Sequence, residues 1–291
     1  MKILAFDIGG TEIKYAFCDE NFKLSEKNSV PTNAHEGGKR IIERIVEIIK
    51  DLGGADRIGI STAGQVDSVK GKIIYATDSI PGYTGTKIKE IIEAETGIPT
   101  AVENDVNSAA VGEAVFGAAK GRENFLCLTF GTGIGGAIFI DGRLFTGSSF
   151  SAGEFGHIVT HAGGRECTCG GKGCYEAYAS TSALVRDIKE KLGVEMNGKE
   201  IFADFKNPEV KAVIDDWIDE IVIGLKSLVY VFNPSLIVLG GGIMNEEYVN
   251  DEINVRLHNE LMLSFRKLRC VNALMGNDAN KLGAAYLASK L

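Results

Sequence analysis

The sequence predicts an α/β protein built from two similar halves, and three observations predict it. Apolar, strand-like runs alternate with runs of helical spacing along most of the chain. The opening pattern "ILAFDIGGTEIKYAFCDENFKL", an apolar strand, a glycine turn and a returning strand, recurs as "FLCLTFGTGIGGAIFIDGRLF". The 291 residues, 45% of them apolar, suffice for two buried cores at roughly 150 residues per domain.

Taken in order, "KILAFDI" is a short apolar run, "GGT" a turn and "IKYAFCD" an alternating run, which together make a hairpin. "RIIERIVEIIKDLGG" has helical spacing and a Gly stop, and "RIGIST" reads as a buried strand. "KIKEIIEAETG" is a second helix, and "PTAVEN" is a strand leading into the helix "DVNSAAVGEAVFGAA". After the second hairpin and a cysteine-bearing loop come helices over roughly 181–192 and 209–232, then the strand "SLIVLGGG". A helix near 247–262, a short strand around Leu268 to Val271 and a last helix "ANKLGAAYLASKL" complete the chain, and "EMNGKEIF" reads as a solvated loop.

Charge and hydropathy exclude some functions. The net charge is −8 and no long Lys/Arg run occurs, so the basic footprint of a nucleic-acid binder is missing. No stretch approaches the ~20 apolar residues of a membrane helix, and "MKILAFDIGG" meets acidic and Gly residues before a signal-peptide core can form, so a cytoplasmic location is expected.

Three of the six cysteines fall in "HIVTHAGGRECTCGGKGCYE". In a reducing cytosol a disulfide framework is not expected, and metal binding is the natural alternative. Cys167, Cys169 and Cys174 offer three thiolates, the glycines around them permit tight turns, and His157 stands ten residues upstream as a fourth ligand. A closed Cys3His set is the signature of structural zinc, because a catalytic site keeps a position open. Cys18, Cys127 and Cys270 sit alone in apolar runs and read as core, and His161 reads as a loop histidine.

Two glycine motifs fail on context. "GTGIGG" matches a dinucleotide fingerprint, but the strand-like "AIFID" follows where a helix is required. "GVEMNGKE" spells a P-loop, yet it follows a helix and has Glu200 where Ser or Thr should bind Mg2+. What remains is one glycine hairpin turn per half, Gly9, Gly10 and Thr11 in one, Gly131, Thr132, Gly133 and Gly135 in the other. Each bares backbone N–H groups and a hydroxyl, and with "LGGGI" (Gly241, Gly242) they are suited to clasp a polyphosphate.

The stretches "FDIGGTEIK", "VENDVNSAAVGE", "FGTGIGGAIFIDGRL", "GEFGHIVTH", "CTCGGKGCYE", "LGGGI" and "NDANKLGAA" together resemble the ROK family of bacterial repressors and sugar kinases. The resemblance implies the two-lobed actin-like, ribonuclease-H-like ATPase fold with an active-site cleft between the lobes. A small lobe of residues 1–117, joined by the C-terminal helix at about 276–291, would face a larger lobe of 118–275 that carries the metal loop 157–174. It also implies MgATP as donor, phosphates held at the loops around Asp7 to Thr11 and Gly131 to Gly136, adenosine beside Gly241 and Gly242, and a homodimer. Lys14 is placed with the phosphate contacts, with packing beside the first hairpin as its plainer role.

Phosphoryl transfer asks for in-line positioning, charge neutralisation and a carboxylate to orient the attacking hydroxyl. Asp105 matches the family's catalytic base, although locally it is an ordinary first-turn helix acid. Asp7, ending a buried strand beside the phosphate turn, is assigned to the Mg2+ shell through water. Asn104, Glu154, His157 and Glu176 resemble the family's sugar contacts, and Gly64 is placed with them. His157 would give one ring nitrogen to zinc and the other to a sugar hydroxyl, making zinc a scaffold for sugar binding. Loss of a zinc cysteine is accordingly expected to raise the sugar KM and to leave nucleotide affinity nearly untouched.

The expected activity is ATP-dependent phosphorylation of a hexose at the 6-hydroxyl, with glucose first. Kinases for N-acetylmannosamine, fructose or other sugars are the alternatives, followed by a non-catalytic sugar sensor. The first phosphate-loop strand begins at residue 2, so a DNA-binding module ahead of it is not expected. "TDSIPGYTG" departs from the family's stretch at Asp78 and Tyr83, which puts recognition around C1 and C2 in doubt.

Overall fold

The computed structural model describes residues 1–291, and contacts divide it into two units. The first comprises Met1–Gly121, Thr146–Ala152 and Met275–Leu291, and the second Arg122–Phe145 and Gly153–Leu274. Thr146–Ala152 belongs to the first unit, where Ser151 Oγ donates to Gln65 Oε1 at 3.0 Å.

In the first unit the hairpin β1 (Ile3–Ile8) and β2 (Glu12–Cys18) is extended by β3 (Leu24–Pro31). Helix α1 (Gly38–Leu52) follows, then β4 (Arg57–Thr62), the small hairpin β5 (Gln65–Asp67) and β6 (Lys72–Tyr75), α2 (Ile88–Thr96), β7 (Thr100–Asn104) and α3 (Asp105–Phe116). The sheet runs β3-β2-β1-β4-β7, with β1, β4 and β7 mutually parallel. On one face α1 buries Ile41, Ile42, Ile45 and Ile49, its helical-period stripe, against Leu4, Phe6 and Ile58. Each such isoleucine contributes about 2 kcal/mol by leaving water.

The second unit repeats this order. It opens with β8 (Phe125–Phe130), β9 (Ile134–Ile140) and β10 (Arg143–Leu144). Helices α4 (Glu176–Ala179), α5 (Thr181–Leu192), α6 (Gly198–Ala203) and α7 (Pro208–Phe232) follow, then β11 (Leu236–Gly240), α8 (Glu247–Glu260) and β12 (Cys270–Asn272). Its sheet runs β10-β9-β8-β11-β12, and β8, β11 and β12 are parallel. The duplicated pattern in the sequence is therefore a duplicated topology. The last helix, α9 (Ala279–Ala288), belongs to the first unit and packs Ala285 and Ala288 against Ile3, Ala5 and Cys18 on the sheet's other face. Gly59, Gly112 and Gly283 let α9 approach this closely, because a Cβ at any of them would run into the backbone of Ala284, Ala279 or Ser108.

Two segments differ from the sequence expectation. β3 is an edge strand of mostly exposed polar residues, so it has no apolar alternation to announce it. "EMNGKEIF" is not wholly a loop, because α6 begins within it. Asn197 accepts from the Lys199 and Glu200 N–H groups, Glu200 Oε2 accepts from Asn197 N at 2.7 Å, and Ile201 is fully buried. Cys18, Cys127 and Cys270 are buried and take part in no disulfide. No helix is long and apolar enough to cross a membrane.

Candidate active site

In the first unit the polar residues gather at the carboxyl ends of the parallel strands, where β1, β4 and β7 place Asp7 beside Ser61 and Thr62 beside Asn104 in register. Asp7 Oδ1 accepts from Asn280 Nδ2 at 2.9 Å and from Ser61 Oγ at 3.2 Å. The turn beyond it, Gly9 to Thr11, is held from the residue after β3, where buried Thr32 donates its N–H to Thr11 O at 2.9 Å and its hydroxyl to Gly9 O at 2.7 Å. Gly10 and Thr11 themselves are exposed. Lys14 lies opposite Asp7 across the hairpin and forms no salt bridge.

Asp105 is the first residue of α3, and Asn104 is its cap. Asn104 Oδ1 accepts from Val106 N at 2.9 Å and Asn107 N at 3.1 Å, while Nδ2 donates to Gly64 O at 2.9 Å and Asp105 Oδ1 at 2.8 Å. The Asn104 amide is thus committed within the protein at both ends. Asn104 is expected among the sugar contacts, and these bonds also make it a holder of Asp105 and of the Gly64 carbonyl. Gly64 adopts φ +94°, and a Cβ there would press on Tyr75 O at 2.9 Å.

Asp105 Oδ1 also accepts from Val106 N at 2.9 Å, which leaves Oδ2 without a bond to another residue. Burial, reinforced by the nearby Asp7 charge and offset by these donors, raises the Asp105 carboxyl to about 6. Beneath it, buried Glu103 accepts from Asn104 N at 2.8 Å and Asn107 Nδ2 at 3.0 Å, and burial pushes that carboxyl up as well. Tyr83 is fully buried with its hydroxyl 2.6 Å from Thr62 Oγ1, whereas Asp78 is exposed. The departure at Tyr83 therefore concerns packing.

In the second unit the turn Gly131 to Gly133 joins β8 to β9, and a strand does follow "GTGIGG". Gly131 and Thr132 are exposed, Gly131 O accepts from Thr181 N at 3.0 Å, and Gly135 lies on β9. The turn after β11 comes close to it, because Gly241, at φ +108°, lies against the Phe130 carbonyl where a Cβ would collide. Gly241 and Gly242 are exposed beside that glycine turn.

The metal-ligand set comes together as the spacing predicts. The ligand atoms of His157, Cys167, Cys169 and Cys174 lie within 4.8 Å of one another, with Cys169 and Cys174 sulfurs 3.6 Å apart and His157 Nδ1 3.5 Å from Cys167 Sγ. Zinc–sulfur bonds of 2.3 Å in a tetrahedron give sulfurs about 3.8 Å apart, so these donors fit such an ion. Gly170 and Gly173, both at positive φ, make the tight turns, and Gly173 N donates to Arg165 O at 2.8 Å. His161 stays outside the set, stacked on Tyr178 at 4.0 Å with Nε2 3.6 Å from Glu220 Oε1.

Glu176 joins this loop to the end of the β8–β9 glycine turn. Oε1 accepts from Thr168 Oγ1 at 2.9 Å and lies 4.0 Å from His157 Nδ1, while Oε2 accepts from Ile134 N at 3.2 Å. A Cβ at Gly133 would displace that carboxylate, so glycine there leaves Glu176 in place. Tyr175, donating its buried hydroxyl to Ile221 O at 2.7 Å, anchors the segment to α7. A nucleotide held at that glycine turn would be linked through Glu176 to the metal loop, which bears on the expected independence of nucleotide affinity from that loop. Glu154, exposed, sits one helical turn before His157, whose N–H it accepts through its carbonyl at 3.1 Å. Ser61, Glu103, Thr168 and Asn280 carry no local signal, and sequence reasoning missed them.

Two sheets of matching topology, each with a glycine turn between its first two strands, define an ATPase fold of the actin-like, ribonuclease-H-like class. The ROK family model matches residues 3–291. An uncharacterized protein of Clostridium perfringens is 40% identical, over 96% of this chain and 95% of its own. A β-glucoside kinase of Listeria innocua is 34% identical over 98% and 97%. The crystal structure of a ROK family glucokinase from Streptomyces griseus, in complex with glucose and AMPPNP, superposes with a TM-score of 0.85 at 32% identity, covering 100% of both chains. The chain belongs to the ROK family.

Proposed function

We propose that the chain transfers the terminal phosphoryl group of ATP to the 6-hydroxyl of a hexose, with glucose the leading substrate. It is an ATP-dependent sugar kinase. The observation that carries the finer reading is Asp105, one carboxylate oxygen tied down, the other open, and a proton affinity raised to about 6, near that of a working base.

In this reading Asp105 Oδ2 accepts the hydroxyl proton as the sugar oxygen bonds to the terminal phosphorus and the bond to ADP breaks. The backbone of Gly9, Gly10, Thr11, Gly131, Thr132, Gly133 and Gly135, with Lys14, holds the phosphates, and Gly241 and Gly242 lie beside adenosine. Asp7 is the residue that would hold Mg2+, which supplies charge neutralisation at the phosphates. Glu154, His157 and Glu176 take sugar hydroxyls, His157 through Nε2, and Gly64 contributes a further sugar contact. Asn104 joins them as a sugar contact and also holds Asp105. His157, Cys167, Cys169 and Cys174 would hold structural zinc, which supplies a fixed loop for those contacts. Family resemblance supports a homodimer in the cytoplasm.

Coupled measurement of ADP release with glucose, N-acetylmannosamine, N-acetylglucosamine, fructose and a β-glucoside tests the proposal. Release above the sugar-free rate is expected with glucose, and preference for another sugar corrects the substrate. No sugar-dependent release from any of them would leave a sensor and remove the kinase.

A further inference from the structure

We infer that Asn280 is a positioning residue for the metal-nucleotide end of the site, fixing the Asp7 carboxylate so that one oxygen is always presented outward. The inference rests on the sugar-kinase reading above. Both hydrogen bonds that Asp7 receives go to Oδ1, from Ser61 Oγ at 3.2 Å and Asn280 Nδ2 at 2.9 Å. Oδ2 is left with no protein donor. Ser61 alone, on the neighbouring strand and at the longer distance, leaves the carboxylate free to rotate about its last torsion.

Asn280 is well placed to stop that rotation because its own footing is fixed. It is the second residue of α9, whose first turn is tied from two sides. Lys27 Nζ lies 2.6 Å from Asp278 Oδ2, and buried Lys281 Nζ donates to Asn277 O at 2.8 Å and lies 3.3 Å from Asp278 Oδ1. Further along, Gly283 packs on the Ser108 carbonyl of α3 and Ala284 on Gly59 of β4. A neutral amide orients the carboxylate without cancelling its charge. A lysine or arginine at position 280 would pair with Asp7 and compete with the cation. Asp105, whose own charge repels that of Asp7, would otherwise push the carboxylate out of register.

The experiment compares the parent with N280L, which has the same branching of side-chain heavy atoms and no donor, and with N280D, which sets a second carboxylate against Asp7. ADP binding is measured by calorimetry with and without Mg2+, alongside the Mg2+ dependence of turnover, the sugar KM and Tm. N280L is expected to weaken ADP binding in Mg2+ about tenfold, the worth of a hydrogen bond to a charged group, and to leave binding without Mg2+ and the sugar KM at parental values. Excess Mg2+ should restore its turnover. N280D should shift the Mg2+ dependence further in the same direction, and it keeps the test alive if N280L fails to fold. Parental Mg2+ dependence in whichever variant folds, or equal weakening with and without Mg2+, overturns the inference while leaving the kinase intact. A parent with no Mg2+-dependent ADP binding overturns the kinase reading and this inference with it.

Discussion

Replacing Asp105 with Asn should make the protein more stable and nearly inactive at once. The substitution keeps the shape of the side chain, and its carbonyl oxygen can still accept from Asn104 Nδ2 and Val106 N. What it removes is a charge in a place that resists charge. The carboxyl titrates at about 6 against an ordinary 3.8, a gap of about two units. At 1.36 kcal/mol per unit, the ionised form costs the folded state up to about 3 kcal/mol. Because the folded pKa is the raised one, that cost is fully present above about pH 6 and disappears as pH falls through 3.8. Urea unfolding should therefore find Asp105→Asn more stable than the parent at pH 8, with the difference shrinking toward pH 4.

Turnover should move the other way, because no carboxylate remains to accept the hydroxyl proton. A loss of about 10²- to 10⁴-fold in kcat is the usual worth of such a base, with sugar and nucleotide affinities kept. The parent's kcat/KM should fall about tenfold per pH unit below about 6, and the residual activity of the variant should be flat there. A variant with kcat within a few-fold of the parent would move the base elsewhere. A variant with lost turnover but unchanged stability at pH 8 would show that the carboxylate is not held against its charge.

Cys169→Ser should lower bound zinc from about one ion per chain and raise the sugar KM. It should also raise the nucleotide KM, because Glu176 bridges the metal loop and Ile134; a nucleotide KM left at the parental value after confirmed zinc loss would show that this bridge transmits nothing. Tyr83→Phe should cost about 1 kcal/mol in urea unfolding through the lost Thr62 bond and leave kcat/KM for every sugar close to parental. A change of sugar preference in that variant would make Tyr83 a specificity residue after all.

What could be read from the residues was whatever local period or spacing records. α1 declares itself through Ile41, Ile42, Ile45 and Ile49, and the metal set through three cysteines and a histidine within one loop. β3 could not be read this way, because an exposed edge strand has no buried face to alternate. α6 had a legible signal, Asn197 with Glu200, that the polar composition around it obscured. The partners that orient the carboxylates were beyond reach for a different reason: Asn280 is 273 positions from Asp7 and Ser61 is 54. Only folding brings such pairs together, and nothing in an isolated asparagine or serine marks which acid it will meet.

The duplicated topology makes the division of labour between the halves a matter of a few residues. The fifth residue of β1 is Asp7 and the fifth of β8 is Thr129, each just before a glycine turn. Across the parallel pair, Asp7 faces Ser61, whose hydroxyl holds it, whereas Thr129 faces Gly240, where a Cβ would meet the Thr129 methyl at 3.2 Å. One half thus retains an acid and the donors that aim it, and the corresponding place in the other has no carboxylate. A polyphosphate carries several negative charges, and each uncompensated carboxylate near it raises the free energy of the bound state. Asp7 and Asp105, the acids that would manage the cation and the proton, both lie in the first half, whereas the acid beside the other half's glycine turn, Glu176, is engaged by Thr168 Oγ1 and Ile134 N.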